Sequence, residues 1–234
     1  METGLGVLAI SCDVDPAHDA EFSEWYQRQH VAERLGVPGF IDARRYEAPE
    51  GTPRYLAFYR LESAEALTGP RYREALANPT RWTRRTMPWF RDMTRSVCRI
   101  TLDHGRGVGG WISWVATGPR AGAAESCRAR LDGLFEQLSA DPEIVRVQLW
   151  ETDHGITTQP NPEQALRPGG DRVTDWIVTA EAISDGAAAR ATAAVREAVA
   201  GSEFVPGASP APCYRLTWLM RAADRPVPAP DPPL

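Results

Sequence analysis

The order strand, helix, strand, strand, helix, strand occurs twice along this 234-residue chain, with a period of about 105 residues. Short apolar runs and the turn residues between them set the pattern. Residues 5–13 read as a buried strand that Asp15-Pro16 breaks. Proline suits a first helical turn, so a helix is expected over 16–35, stopped by Gly36 and Pro38-Gly39. Strands are expected over 40–47 and 54–61, on either side of a Pro/Gly turn, then a helix over 63–77 and a strand over 95–102. Beyond Gly105, Gly107, Gly109 and Gly110 the order recurs: strands over 111–117, 144–151, 173–182 and 214–221, with helices over 123–139 and 187–199. The two halves share this pattern rather than their residues.

A β-α-β-β-α-β unit carries helices on one face of its sheet only, so the other face needs cover. The runs Trp111-Ile112-Ser113-Trp114-Val115 and Leu216-Thr217-Trp218-Leu219 are apolar on both faces, as strands covered on both sides are. The expectation is an α+β protein in which two tandem units pack sheet to sheet as an intramolecular pseudo-dimer. The first half would span 1–104, a flexible Gly-rich linker 105–110 and a second, degenerate half 111–224. A disordered Pro-rich tail would follow over 225–234. Two segments break the symmetry. Residues 79–93 carry Trp82, Trp89, Phe90, Arg84 and Arg85. Residues 153–172 form a long polar stretch with three prolines, expected as a mobile surface loop, with a lid as the alternative.

The net charge of −5 leaves no electrostatic footprint for nucleic acid. No run approaches the roughly 20 apolar residues of a membrane span, and no signal-peptide pattern opens the chain. A cytoplasmic protein with neither nucleic-acid nor membrane partners is expected, a monomer or weak homodimer. Cys12, Cys98, Cys127 and Cys213 are far apart and read as small buried hydrophobes rather than metal or redox pairs. No two histidines sit at ligand spacing, so no metal is expected. Nucleophile-elbow, phosphate-loop and dinucleotide signatures are absent too, and no cofactor is expected.

The chemistry concentrates in the first helix. It contains Glu24-Trp25-Tyr26-Gln27-Arg28-Gln29-His30-Val31-Ala32-Glu33-Arg34, followed by Val37-Pro38-Gly39-Phe40, Ala43-Arg44-Arg45-Tyr46 and Tyr55-Leu56-Ala57-Phe58-Tyr59. This run resembles the EthD-like branch of the dimeric α+β barrel superfamily, and the resemblance in organisation extends over about residues 5–221. It implies ferredoxin-like halves with a pocket between helix and sheet. The superfamily includes cofactor-independent monooxygenases, cyclases, isomerases, dehydratases, decarboxylases and haem-using members, so the fold alone assigns no reaction.

Phe22, Tyr26 and His30 are spaced four apart and share a helix face with an apolar border, which should turn toward the sheet. An imidazole near neutral pH can move a proton, and a phenol can hold an oxyanion. His30, Tyr26 and Glu33 are therefore the candidate catalytic residues, Glu33 as an orienting group for His30. Trp25, Phe22, Arg44, Tyr46, Trp82, Trp89 and Phe90 are the candidate substrate-binding residues. Arg44 and Tyr46 share one face of their strand and Arg45 takes the other; whichever arginine meets the pocket would bind a carboxylate or enolate. The equivalent helix of the second half has neither a His nor a Trp-Tyr pair, so the working pocket is expected in the first half alone. Three activities follow. One is a cofactor-free lyase, cyclase or isomerase acting by acid/base chemistry on a small, partly apolar or aromatic metabolite, in a secondary-metabolism setting. The others are a cofactor-free monooxygenase of the antibiotic-biosynthesis type, and a non-enzymatic binder of a hydrophobic ligand or haem.

Overall fold

Alternation along each strand decides what the two faces of the sheet meet. The computed structural model describes residues 5–207 and 212–232. Residues 1–4 of the expected first half, 208–211 of the second and 233–234 of the expected tail lie outside the described residues. The first half consists of β1 (Gly6–Val14), α1 (Asp19–Trp25), a π-helical turn (Tyr26–His30), α2 (Val31–Leu35), β2 (Phe40–Glu47), β3 (Tyr55–Leu61), α3 (Pro70–Ala77), α4 (Arg81–Thr86) and β4 (Phe90–Gly105). The second consists of β5 (Trp111–Pro119), α5 (Ala124–Ser139), β6 (Ile144–Thr152), a one-turn α6 (His154–Thr157), β7 (Trp176–Ala182), α7 (Asp185–Val199), β8 (Phe204–Pro206) and β9 (Tyr214–Arg221).

The first half has the strand order β4-β1-β3-β2 and the second β9-β5-β7-β6, the same ferredoxin-like arrangement twice. Two further ladders join them. β4 pairs with β6 over Cys98–Gly105, and β2 pairs with β9 over Asp42–Glu47. With β7 also pairing β5, the sheet closes into an antiparallel barrel, and β8 adds at the end of β5. This is the dimeric α+β barrel expected from the sequence, formed within one chain.

Three cores result. On β1, Leu8, Ile10, Cys12 and Val14 face the helices of the first half, while Val7 and Ala9 face the barrel interior. β3 divides likewise: Tyr55, Ala57, Tyr59 and Leu61 point outward, and Leu56 and Phe58 inward. β7 sends Val178, Ala180 and Ala182 to the alanine face of α7 and Ile177 inward. The interior is a dry aromatic plug. Tyr46 stacks on Phe58 at 5.6 Å between centroids, Phe58 meets Trp150 edge-on at 5.0 Å, and Trp150 meets Trp114 at 6.0 Å. β4 runs five residues further toward its N-terminus than expected, and it reaches all three cores through Met93, Cys98 and Leu102.

At one end of the interior lies a buried ion pair between the halves. Arg44 donates from Nη1 to both carboxylate oxygens of Glu181, at 2.8 and 3.0 Å, with side chains only 2% and 4% exposed. The backbone N–H of Gly109 donates to the same carboxylate at 2.9 Å. Burial nonetheless holds the Glu181 carboxyl above its ordinary pKa.

Two expectations about connections are corrected. The 105–110 segment is not a free linker. A Cβ on Gly105, which has φ +90°, would lie 2.4 Å from Val145 O, and one on Gly109 would lie 2.5 Å from Ala182 N. These glycines let the crossing chain sit directly on the second half's backbone. The Pro-rich tail, expected to be disordered, is docked over 225–232. Ala229 N donates to Arg28 O at 2.9 Å, and Asp231 accepts from the N–H groups of Arg81 and Trp82 at the start of α4. Few polar groups on a proline-rich segment suffice here because the helix N-terminus supplies unpaired donors. Among the described residues no helix is long and apolar enough to cross a membrane.

Removing one member of the Arg44–Glu181 pair strands a buried charge. Arg44→Met is expected to lower unfolding free energy by about 3–5 kcal/mol, read by chemical denaturation. Arg44→Met combined with Glu181→Leu should recover most of that loss.

Candidate functional site

The first helix does not run as a regular α-helix. Between Tyr26 and His30 it widens into a π-turn, in which Val31 N bonds to Tyr26 O. Residues five apart on an α-helix point roughly 140° from each other. The π-turn cancels that offset, and the His30 imidazole lies over Trp25 with ring centroids 4.3 Å apart. Trp25 is fixed from behind by its Nε1–H donating to Thr83 Oγ1 at 3.2 Å. Gln29, inside the turn, accepts from Thr80 Oγ1 at 2.7 Å and donates to Ala229 O at 2.9 Å. The turn is thus tied to α4 on one side and to the docked tail on the other. Such π-turns recur at functional sites because they re-aim side chains.

His30 and Tyr26 face a narrow cavity between helices and sheet. Leu8, Ile10, Tyr59, Met93 and Arg95 form its floor; Tyr26, His30, Arg34, Tyr72, Met87 and Phe90 form its walls. Its roof comes from the other half: Asn161, Glu163 and Arg167, all within the long 153–172 segment. The volume is about 30 Å³, room for roughly two waters. A vestibule of about 280 Å³ adjoins it and shares Tyr72, Arg95 and Asn161 with it.

The 153–172 segment, expected as a mobile surface loop, is docked as a lid. Arg34 and Glu163 form a buried ion pair through a hydrogen bond. Asp153 N donates to Val97 O at 2.8 Å, and Arg172 exchanges backbone hydrogen bonds with Met93 and Arg95 at 2.9 Å. The guanidinium of Arg167 pairs with Asp171 and reaches Met87 Sδ at 3.7 Å.

The electrostatics of the narrow cavity favour neutral forms. Burial, then the guanidiniums of Arg34 and Arg167, hold the His30 pKa well below the ordinary histidine value. The ring is therefore neutral near pH 7, and its Nδ1 is buried with no hydrogen-bond partner among the described residues. Tyr59 donates its hydroxyl proton to Tyr26 Oη at 3.3 Å. Burial pushes the Tyr26 phenol up to about 12, against the opposing hydrogen bond from Tyr59. The site thus offers one neutral imidazole with a free nitrogen, three phenols and three guanidiniums around a narrow space. A proton acceptor beside hydrogen-bond donors for developing negative charge is the arrangement that proton abstraction next to a carbonyl requires.

Of the candidates chosen from the sequence, His30, Tyr26 and Phe90 line the cavity. Trp25 and Phe22 lie behind them in the same core, 6.0 Å apart. Trp82 is buried away from the cavity, and Trp89 stacks on His18 at 4.2 Å. Arg44 and Tyr46 do not meet this site. They face the barrel interior, where Arg44 is held by Glu181. Arg45 has the helix-side face and lies over the rings of Phe22, Tyr26 and Tyr55 at about 5 Å. Glu33 makes no hydrogen bond to His30; the carboxylate joined to this helix is Glu163 on Arg34. The sequence reading passed over Arg95, which strand alternation places on the helix side with Met93 and Val97. It also passed over Glu163 and Arg167, which no local pattern marks.

A second cleft, of about 300 Å³, opens at the barrel mouth between Ser11, Asp13, Thr94, Trp114 and Tyr214. It brings together none of the candidate residues. Among the described residues no group of three His, Cys, Asp or Glu side chains could hold a metal ion. The residues of the narrow cavity do not fit a haem: the space holds about two waters, and His30 is its one histidine, stacked on Trp25.

The fold defines the class, a dimeric α+β barrel, and solved structures share that fold. An anthrone oxidase-like protein superposes with a TM-score of 0.62 over 97% of both chains at 12% identity. A Fusobacterium nucleatum protein described as a candidate monooxygenase gives 0.58 over 94% of this chain and 96% of its own, at 5% identity. Chlorite dismutase from Candidatus Nitrospira defluvii gives 0.56 over 93% and 92%, at 9% identity. No protein-family model and no curated protein matches the sequence.

Two outcomes test this geometry. Glu33 is held at about 7, chiefly by burial, with Arg34 opposing and Glu163 and Asp231 adding to it. A folded-state carboxyl pKa above the unfolded value means stability is present at low pH and lost as pH rises toward 7. Glu33→Gln should therefore raise the melting temperature at pH 8 and change little at pH 4, by differential scanning fluorimetry. Glu163→Gln should strand the Arg34 charge and speed amide hydrogen exchange across 153–172 at least ten-fold, leaving β5–β7 protected.

Proposed function

We propose that the chain is a cofactor-independent enzyme that moves a proton on a small, partly apolar or aromatic metabolite, whose body lies in the vestibule and whose reacting edge enters the lidded cavity of the first half. The observation that carries this reading is the neutral His30 imidazole, with an unpartnered buried nitrogen, beside the Tyr26–Tyr59 hydroxyl pair in a narrow pocket. His30 accepts the proton from an acidic C–H or O–H of the bound metabolite. Tyr26, which accepts from Tyr59 and keeps its own hydroxyl proton free, donates a hydrogen bond to the enolate or phenolate oxygen that forms. Returning the proton to another carbon gives isomerisation; attack of the carbanion on a carbonyl carbon of the same molecule, with the proton passed to the alkoxide, gives cyclisation; expelling a leaving group that takes the proton gives a lyase. The EthD-like run along the first helix supports the same site.

A second reading shares the first step and is favoured by the anthrone oxidase-like and monooxygenase fold neighbours. In it the carbanion gives its electrons to dioxygen, a C–O bond forms, and the added peroxide loses water to leave a carbonyl. No metal or flavin enters that balance.

Enolisable aryl ketones in deuterated buffer test both readings. Their α-proton exchange, followed by NMR, is expected to be accelerated by the protein and to fall by about 10²–10⁴ in His30→Ala with an unchanged melting temperature. Full exchange activity in that variant removes His30 from the role. Oxygen consumption matched to product separates the oxygenase from the lyase or isomerase.

A further inference from the structure

Four arginines of the described chain are buried: Arg34, Arg44, Arg95 and Arg167. Three of them hold a carboxylate: Arg34 has Glu163, Arg44 has Glu181 and Arg167 has Asp171. Arg95 is 8% exposed and has none among the described residues. Its side chain makes one hydrogen bond, a long one of 3.4 Å from Nη2 to Tyr72 Oη. A guanidinium out of water without a counter-charge is costly, and proteins retain such groups where a ligand supplies the missing anion. Strand alternation leaves Arg95 little freedom to escape: β4 places it between Met93 and Val97 on the helix side, opposite Ile10 of β1.

Its position gives the missing anion a shape. Arg95 lies on the boundary between the narrow cavity and the vestibule, and both are lined by it. Beyond it Leu67, Leu76, Ile156 and Pro160 give the vestibule an apolar part, beside the polar Gln159 and Asn161. Arg73 is the other charged residue of the vestibule wall, and no acidic residue lines it. The vestibule's 280 Å³ is near the lower end of the roughly 300–1,000 Å³ of small-molecule sites.

We propose that Arg95 is the anchor for the carboxylate of an amphipathic organic acid, an aryl or alicyclic carboxylate whose ring occupies the vestibule and whose reacting edge meets His30. This rests on the reading of the cavity as the working site and names the substrate class that site accepts. The carboxylate displaces the weak Tyr72 contact and takes the guanidinium in a two-point pair. The apolar walls take the ring. An anion here also offsets the positive field of Arg34 and Arg167, the charges that oppose protonation of His30. The substrate would thereby make the imidazole a stronger base on arrival.

The test is binding, which needs no turnover. Benzoate, 1-naphthoate and the neutral 1-naphthalenemethanol are titrated calorimetrically into the full chain, at low and high salt. Naphthoate is expected to bind at least ten-fold tighter than the alcohol, and to weaken with salt. Arg95→Gln should lose naphthoate affinity by about ten- to a hundred-fold while alcohol binding is unchanged, which shows that the pocket remains folded. Arg95→Lys should fall between. Binding is read without turnover, and α-proton exchange in the parent protein is read separately, so loss of the catalytic reading and loss of the anion site are told apart. Equal affinity for acid and alcohol, undiminished naphthoate binding in Arg95→Gln, or no binding of either carboxylate at millimolar concentration each overturns the proposal.

Discussion

The ladders β4–β6 and β2–β9 turn two open sheets into one barrel, and the rest of the molecule depends on that closure. Each half has an apolar face that its own helices do not cover. Pairing the edges brings those faces together around Phe58, Trp114 and Trp150 and removes the exposed strand edges at the same time. Closure also brings Arg44 of one half to Glu181 of the other. A buried pair contributes little net stability against an apolar replacement but punishes a mismatch severely. It therefore fixes which registers of the two halves are compatible.

The site is a second consequence of closure. β6 runs beside β4, so the segment that follows β6 emerges over the helix layer of the first half. That is how residues 153–172 come to roof a cavity whose floor and walls belong to residues 8–95. The lid is held by backbone hydrogen bonds to β4 and by Arg34–Glu163. In the second half α5 packs Cys127, Leu131 and Phe135 straight onto the sheet.

Part of this was legible in the sequence for a clear reason. Spacing along one helix face is a local property, and Tyr26 and His30 do line the cavity, although the turn between them is π rather than α and Phe22 lies behind it. The same reasoning could not choose between the faces of β2. Period two says that Arg44 and Arg45 point opposite ways, and only the helix packing on one side says which way is which. Glu33 stands one turn from His30, in regular α2, yet makes no hydrogen bond to it; spacing alone does not make a contact. Nothing in Tyr26–His30 announces the π-turn that precedes it. The glycines at 105 and 109 read as freedom because glycine permits it. In the structure their use is the lack of a Cβ where two backbones touch.

The sequence by itself determined the order and type of the elements, the apolar faces that demanded a second layer, and the helix that carries the imidazole. These depend on local periodicity and on turn residues, which act over a few positions. Tertiary structure alone decided that Glu163 meets Arg34 across 129 positions, that Arg167 and Asn161 close the pocket, and that Arg95 is the one buried arginine left without a carboxylate among the described residues. Those are properties of charges brought together from distant segments, and burial sets their strength only once the barrel has closed.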